Sequence, residues 1–118
     1  MLCSCEEFEE PEKYFKDLRE LGQNLRRNKK INDNLTFINA LSNEERIIIF
    51  NVLKEKDRCV CELEAILNKS QPSISHHLKI LEDAGIIRGW KKGKFTYYGI
   101  ETENFRIKLN AIIESLKL

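Results

Sequence analysis

The 118-residue sequence has few of the residues that build turn-rich folds, with five glycines and two prolines. This scarcity excludes an elaborate all-β architecture, because such folds need glycine- and proline-rich turns at short intervals. No apolar run approaches the roughly 20 residues of a membrane-spanning helix, and the first residues lack the basic start and apolar stretch of a secretory signal. We therefore expect a cytoplasmic protein with no membrane partner.

A large excess of one charge is also missing, since the formal net charge is +1. That average argues against a nucleic-acid partner. The charges are segregated, however: residues 1–12 hold five acidic and no basic residues, whereas residues 13–118 hold 20 basic and 14 acidic residues. We therefore predict an acidic, cysteine-bearing N-terminal arm over residues 1–12 and a single basic domain with flanking helices over residues 13–118.

Hydrophobic periodicity predicts a mainly helical fold. The predicted helices cover residues 12–30, 35–41, 46–54, 62–68, 70–84 and 105–116. We expect a chain break at residues 32–34 and a capping box in which Ser42 and Glu45 open the third helix. This third helix is apolar almost all round, so we expect it to form the buried centre of the domain.

The fourth and fifth predicted helices are joined by a tight turn and have the dimensions of a helix-turn-helix. On a helical wheel, apolar side chains and His77 gather on one side of the fifth helix. The other side carries hydroxyls, an amide, an imidazole and an ammonium group, which can hydrogen-bond base edges and phosphates. The candidate DNA-binding residues of this helix are Ser70, Gln71, Ser73, Ser75, His76 and Lys79.

Residues 86–100 contain two aromatic and β-branched runs around a glycine-containing turn, which predicts a β-hairpin. Four basic residues, Arg88, Lys91, Lys92 and Lys94, precede the next acidic residue, Glu101. A basic hairpin beside a helix face with few acids is suited to gripping phosphates. The pattern predicts a winged helix-turn-helix, mainly α with a small β-hairpin, and double-stranded DNA as its partner.

Three segments carry a resemblance to a known family. They read LSNEER at residues 41–46, CVCEL at residues 59–63 and SQPSISHHLK at residues 70–79. These segments resemble successive signatures of the ArsR/SmtB family of winged-helix repressors, and the likeness covers residues 35–100. It implies an operator-binding homodimer whose N- and C-terminal helices form the interface. It also implies that ligand binding or thiol chemistry releases the DNA. Separately, the sequence has no phosphate loop and no serine or cysteine with a plausible base partner, so we do not expect an enzyme.

Four cysteines, Cys3, Cys5, Cys59 and Cys61, indicate metal or redox chemistry in a reducing compartment. Thiolates are soft ligands that select ions such as zinc, cadmium, lead or arsenite. The Cys59–Cys61 pair supplies two ligands, and Cys3 and Cys5 could complete a tetrahedral shell. Within the resembled family, this pattern is similar to that of the cadmium and lead sensors of the CadC type. The metal would act as inducer and would not be required for DNA binding.

The resemblance also has departures. The arsenic-sensing pattern of the family has a third cysteine shortly after the pair, where this chain has Glu62, Leu63 and Glu64. Arsenite would therefore need Cys3 or Cys5 as its third ligand. The family's other zinc site uses histidines and acids of the last helix, and residues 101–118 contain no histidine.

Three other interpretations of the cysteines stay open at this point. The same thiols could sense oxidants through a disulfide between the two pairs. They could also hold a structural zinc ion in a non-sensing winged-helix or interaction module. Finally, they could have no regulatory role.

Overall fold

The computed structural model describes residues 10–118. The chain forms two compact units, one ending at Asp33 and the other spanning Asn34–Leu118, and each is described by itself. The elements are α1 (Pro11–Arg26), α2 (Lys29–Leu41), α3 (Glu44–Glu55), β1 (Arg58–Cys59), α4 (Val60–Leu67), α5 (Gln71–Asp83), β2 (Ile87–Lys92), β3 (Phe95–Ile100) and α6 (Thr102–Ser115). The mainly helical fold with a small hairpin is confirmed. None of the helices within residues 10–118 has both the length and the apolar character that crossing a bilayer requires.

The first unit contains α1, which starts with Pro11 at a position where a missing N–H costs no hydrogen bond. The helix buries none of its residues. Its predicted apolar stripe is present but exposed, and Leu21 and Leu25 are 54% and 48% exposed.

The predicted chain break at residues 32–34 is wrong, because these residues lie inside α2. The break lies instead between Arg26 and Lys29, where the side-chain oxygen of Asn28 accepts a hydrogen bond from the backbone N–H of Ile31 at 3.1 Å. This local capping bond outweighs the weak helix propensity of the polar residues that follow.

The start of α3 also differs from the prediction. Asn43, not Ser42, is the N-cap, and its side-chain oxygen accepts hydrogen bonds from the backbone N–H groups of Glu45 and Arg46 at 3.0 and 3.2 Å. The carboxylate of Glu45 is therefore free to contact other elements.

The core of the second unit is shared among its helices and the hairpin. Its buried members are Phe37, Ala40, Ile49, Leu53, Leu63, Ile74, Leu78, Leu81, Ala84, Ile86, Ile87 and Ile112. The expectation that α3 forms the buried centre is wrong, because α3 buries only Ile49 and Leu53, while Ile47 is 42% exposed. The fifth helix, with four buried side chains, contributes more.

The sheet has three strands in the order β1-β3-β2, all antiparallel. The hairpin β2–β3, called the wing from here on, turns through Gly93 and Lys94, and Gly93 has a φ of 64°. A positive φ at the first residue of a two-residue hairpin loop favours glycine. The short strand β1 has no counterpart among the predicted elements, and it pairs Cys59 with Tyr97 of the wing.

Candidate DNA-binding surface and thiol pair

The helix-turn-helix is formed by α4 and α5. The first helix ends at Asn68, which has the left-handed conformation (φ 52°), and the backbone N–H of Lys69 donates to the carbonyl of Glu64 at 3.3 Å. The second helix starts at Gln71, with Pro72 in its first turn. Its inner face buries Ile74, His77, Leu78 and Leu81, in agreement with the helical wheel.

The predicted DNA-binding residues of this helix lie on one surface with a single difference. Ser70, Gln71, Ser75, His76 and Lys79 are exposed, whereas Ser73 is half-buried. Lys79 lies 3.5 Å from Asp83, and both side chains are largely exposed. Such an exposed pair is weak, so Lys79 remains available to a phosphate.

The four predicted basic residues of the wing fall into two groups. Lys91, Lys92 and Lys94 are exposed near the tip, and within residues 10–118 no carboxylate lies within ion-pair distance of them. Arg88, in contrast, lies 3.0 Å from Glu101 and over the ring of Trp90, 5.0 Å from its centre. The wing tip therefore carries the unpaired positive charge, whereas Arg88, at the base of the wing, is paired with Glu101.

A buried polar network holds α5 against α3, and sequence reasoning missed it. Nε2 of His77 lies 2.6 Å from a carboxylate oxygen of Glu45, and a guanidinium nitrogen of Arg46 lies 3.1 Å from Nδ1 of the same ring. An arginine can only donate, so Nδ1 accepts and Nε2–H donates to Glu45. The ammonium of Lys69 contacts the other carboxylate oxygen at 3.3 Å. No sequence pattern signals this network, because His77 is 31 positions from Arg46.

The pKa of Glu45 reflects these contacts. Desolvation raises the pKa of the carboxyl, but the hydrogen bonds from Lys69 and His77 and the positive charge of Lys69 outweigh it. The pKa of Glu45 therefore lies below its ordinary value of 4.5.

The two residues that follow α5 are hydrogen-bonded to α6. The side-chain amide of Asn104 donates to the carbonyl of Gly85 at 2.7 Å, and the ammonium of Lys108 donates to the carbonyl of Ala84 at 3.0 Å. These bonds satisfy groups that a helix end leaves without partners. They also connect the C-terminal helix directly to α5.

Cys59 and Cys61 lie at the junction of β1 and α4, with their sulfur atoms 2.8 Å apart. Both thiols are free, and Cys59 is buried while Cys61 is exposed. The carboxylate of Glu62 accepts a hydrogen bond from the backbone N–H of Cys59 at 3.0 Å, which caps the start of α4. The two sulfur atoms are thus close enough to bind one ion together.

The pKa of the Cys59 thiol is raised above its ordinary value of 9.0. Its contact with Cys61 is the main cause, and burial adds to the effect. The backbone hydrogen bond from Cys59 lowers the pKa of Glu62, so this carboxylate stays ionised beside the pair. A raised pKa reduces the fraction of reactive thiolate at neutral pH.

The other two predicted ligands, Cys3 and Cys5, lie outside the described residues. Within residues 10–118, no group of three or more cysteine, histidine or acidic side chains is arranged to hold a metal ion. The described part of the chain therefore offers two thiolates, and a complete soft-metal site needs further ligands from elsewhere.

A row of side chains links the thiol pair to the wing. Cys59 in β1 is paired with Tyr97 in β3, and Tyr97 is paired with Trp90 in β2. The rings of Tyr97 and Trp90 stack with their centres 6.3 Å apart. Cys59 is therefore separated from Trp90 in the wing by a single strand neighbour, Tyr97.

Comparison with known proteins gives a consistent result. Residues 43–88 match the family model described as bacterial regulatory protein, arsR family. The cadmium resistance transcriptional regulatory protein CadC homolog of Staphylococcus aureus is 38% identical over 68 residues, which cover 57% of this chain and 56% of that protein. The transcriptional repressor SdpR of Bacillus subtilis (strain 168) is 38% identical over 71 residues, covering 60% of this chain and 79% of that protein.

A solved structure supports the same conclusion. The crystal structure of an ArsR family transcriptional regulator matches with a TM-score of 0.63 and 27% identity, covering 71% of this chain and 86% of that one. The expectation that the chain is not an enzyme is confirmed, because the family and these relatives are regulators. The family match contains the helix-turn-helix and the Cys59–Cys61 pair.

Proposed function

Because the chain belongs to the arsR family of bacterial regulatory proteins, we propose that it is a homodimeric repressor that binds double-stranded DNA and releases it when a thiophilic metal binds its cysteines. The observation that carries this proposal is the position of the thiol pair. Cys59 and Cys61 lie at the first turn of α4, and Cys59 is in register with the wing. A ligand there would touch α4, the first helix of the helix-turn-helix, and would lie beside strand β3 of the wing.

DNA binding is supported by the chemistry of the exposed surface. The helix α5 presents hydroxyls, an amide and an imidazole, whereas the wing tip presents three lysines without carboxylate partners among residues 10–118. The helix is suited to the major groove, where base edges can be distinguished. The lysines supply phosphate contacts that do not depend on sequence.

Dimer formation is supported by exposed apolar surface. The stripe of α1 (Tyr14, Leu18, Leu21 and Leu25) and residues Ile107, Leu109 and Ile113 of α6 are all exposed large apolar side chains. Patches of this kind on a small protein mark surfaces that a partner covers. In a two-fold dimer, the two copies of α5 would lie about one DNA turn apart and contact successive major grooves.

Metal binding is supported by the donor set. Two sulfur atoms 2.8 Å apart form a soft chelating pair that suits cadmium, lead, zinc or arsenite. Cys3 and Cys5, of the same or the partner subunit, would supply the remaining thiolates. The S. aureus relative is described as a cadmium resistance regulator, which favours a metal as the signal.

The thiol-redox alternative uses the same residues, and one observation counts against it. The raised pKa of Cys59 reduces the fraction of its thiolate, which is the form that attacks an oxidant. A metal ion overcomes this obstacle, because it displaces the thiol proton on binding. The structural-zinc alternative requires metal for folding, whereas a sensor stays folded without it.

The test is metal-dependent release of DNA. A duplex selected from a random pool by the reduced, metal-free protein is labelled with fluorescein, and its anisotropy is followed while cadmium, lead, zinc or arsenite is added. We expect release from the wild type at micromolar metal. The Cys59→Ser/Cys61→Ser variant should bind the same duplex and should not release it when metal is added. The Cys3→Ser/Cys5→Ser variant tests separately whether the N-terminal arm is needed for release.

Other outcomes of this experiment favour the alternatives. Release by diamide but by none of the four metals would replace metal sensing by redox sensing. Unfolding of the protein by a chelator, followed by circular dichroism, would indicate a structural zinc site. Retention of the duplex under every condition would contradict a sensor of either kind.

A further inference from the structure

Phe95 is an exposed aromatic residue at the tip of the wing. It follows the two-residue loop Gly93–Lys94 directly, pairs with Lys92, and is 51% exposed. The other aromatic residues of the wing, Trp90, Tyr97 and Tyr98, are half-buried. Phe95 is thus the large apolar side chain that the hairpin leaves in solvent.

The strand register shows which way Phe95 faces. Side chains alternate along β3, so Phe95 and Tyr97 share one face and Tyr98 lies on the other. Tyr98 packs against the hydrophobic core, so the face of Phe95 points away from it. Nearer the base of the wing, the rings of Tyr97 and Trp90 are stacked, and Arg88 lies over the Trp90 ring.

The surroundings of Phe95 are basic. Its strand partner Lys92 lies on the same face and Lys94 precedes it in the loop, whereas Lys91, paired with Thr96, lies on the opposite face. None of the three lysines has a carboxylate partner among residues 10–118. A single ring has too little apolar area to hold a protein partner or a bilayer. An apolar ring beside cations instead suits a narrow groove that is lined by sugars and bordered by phosphates.

We propose that Phe95 is an apolar wedge that enters the minor groove of DNA while the three lysines grip its phosphate rims. The minor groove of B-DNA is about 6 Å wide, which admits one side chain but not a helix. Inserted phenylalanine side chains unstack a base step and bend the duplex. Phe95 would then add sequence preference at flexible steps that α5 does not contact.

This inference rests on the proposed DNA-binding function, but it does not depend on metal release. The test uses the full-length, metal-free protein and the duplex selected by the wild type, carrying a fluorescence-transfer pair at its ends. Affinity and end-to-end distance are measured for wild type, Phe95→Ala and Phe95→Leu. Thr96→Ala is the matched control, because Thr96 is the next residue and its side chain lies on the opposite face.

We expect Phe95→Ala to weaken binding of the selected duplex roughly tenfold and to remove the bend. Its affinity for random-sequence DNA and the salt dependence of binding should stay unchanged. Phe95→Leu, which keeps an apolar side chain, and Thr96→Ala should stay near wild type. Replacing the three lysines by glutamine should instead lower the salt slope by about 0.9 for each phosphate that is no longer neutralised.

The outcomes separate this inference from the function on which it rests. If Phe95→Ala binds and bends the selected duplex as the wild type does, the wedge is wrong and DNA binding stands. If the wild type selects no duplex, the proposed DNA-binding function is wrong, and so is the proposed role of Phe95. Thermal unfolding of each variant excludes a folding defect, and Phe95→Leu tests the wedge if Phe95→Ala is unstable.

Discussion

Neighbouring residues of α5 lie on different sides of the helix and have different surroundings. His76 is exposed toward the candidate DNA surface, whereas His77, the next residue, is buried and bonded to Glu45 and Arg46. The direction of each side chain could be predicted, because a period of 3.6 residues places neighbouring residues on different faces. The partners of His77 could not be predicted, since they come from α3 and only the tertiary fold brings them close.

The pKa of Glu45 leads to a prediction on stability. Its folded-state pKa lies below the ordinary value of 4.5, so the ionised carboxylate adds stability that is fully present above that pH. This stability is lost as the pH falls through the lower, folded-state pKa. We expect Glu45→Gln to lower the melting temperature at neutral pH, and the difference from wild type to shrink below pH 4.5.

Thermal unfolding followed by circular dichroism at a series of pH values checks this expectation. Glu44→Gln is the matched control, because Glu44 is an exposed carboxylate in the same first turn of α3. A difference between wild type and Glu45→Gln that stayed constant down to low pH would show that the charge of Glu45 is not what stabilises the network.

Among the elements, α5 is held by two neighbouring helices. Its middle is bonded to α3 through the His77 network, and the carbonyls of Ala84 and Gly85, just after its end, accept hydrogen bonds from Asn104 and Lys108 of α6. The C-terminal end of α5 is thus fixed relative to α6 by two side-chain hydrogen bonds.

Removal of one of these bonds has a predictable cost. Asn104→Ala leaves the carbonyl of Gly85 without its side-chain donor, and we expect a decrease of about 1 kcal/mol in the free energy of unfolding. Urea denaturation measures this decrease. Asn110→Ala, an exposed position on the same helix, should be near wild type, and equal effects of the two substitutions would contradict a specific role of Asn104.

The short strand β1 leads to a prediction about the wing. Trp90 is the only tryptophan in the sequence, and it stacks on Tyr97, the strand partner of Cys59. Cadmium is a closed-shell ion. We expect its binding to the metal-free protein to change the fluorescence emission of Trp90. Cys59→Ser/Cys61→Ser should abolish the change, and magnesium should produce none. An unchanged emission at saturating cadmium would disprove a connection from the thiol pair to Trp90.

The elements show where prediction from sequence succeeds and fails. The wing and the helix-turn-helix are predictable because each has a strong local signal, a glycine turn in one case and a helical stripe in the other. The strand β1 has two residues, which is too short for a periodic pattern. The start of α2 and the cap of α3 depend on single side-chain hydrogen bonds of Asn28 and Asn43, and several nearby polar residues could make them equally well.

At the scale of the whole molecule, charge and apolar surface suggest two different partners. The acidic residues 1–12 offset a basic body, so the net charge of +1 hides the positive wing. The exposed apolar residues of α1 and α6 suit a second copy of the chain, whereas the wing and α5 suit DNA. Under the proposed function, one small chain would carry both an assembly surface and a nucleic-acid surface.

The assembly surface can be tested on α1 alone. Leu21 is 54% exposed within the apolar stripe, and a glutamate there would be buried without a partner in a dimer. We expect Leu21→Glu to shift the protein from dimer to monomer in analytical ultracentrifugation and to weaken DNA binding. Gln23→Glu, on the opposite side of α1, should remain dimeric. A wild type that sediments as a monomer at tens of micromolar would contradict the proposed dimer.

Coupling between the thiol pair and the DNA-binding surface can be measured through its reciprocity. The affinity for cadmium is measured in the free protein and in the protein–duplex complex, and the affinity for DNA is measured with and without cadmium. Thermodynamic linkage requires DNA to weaken cadmium binding by the same factor by which cadmium weakens DNA binding. We predict a shared factor of about 5 to 150, equivalent to a coupling of about 1–3 kcal/mol, which disappears in Cys59→Ser/Cys61→Ser. An identical cadmium affinity with and without DNA would show that the thiol pair and the DNA-binding surface are not coupled.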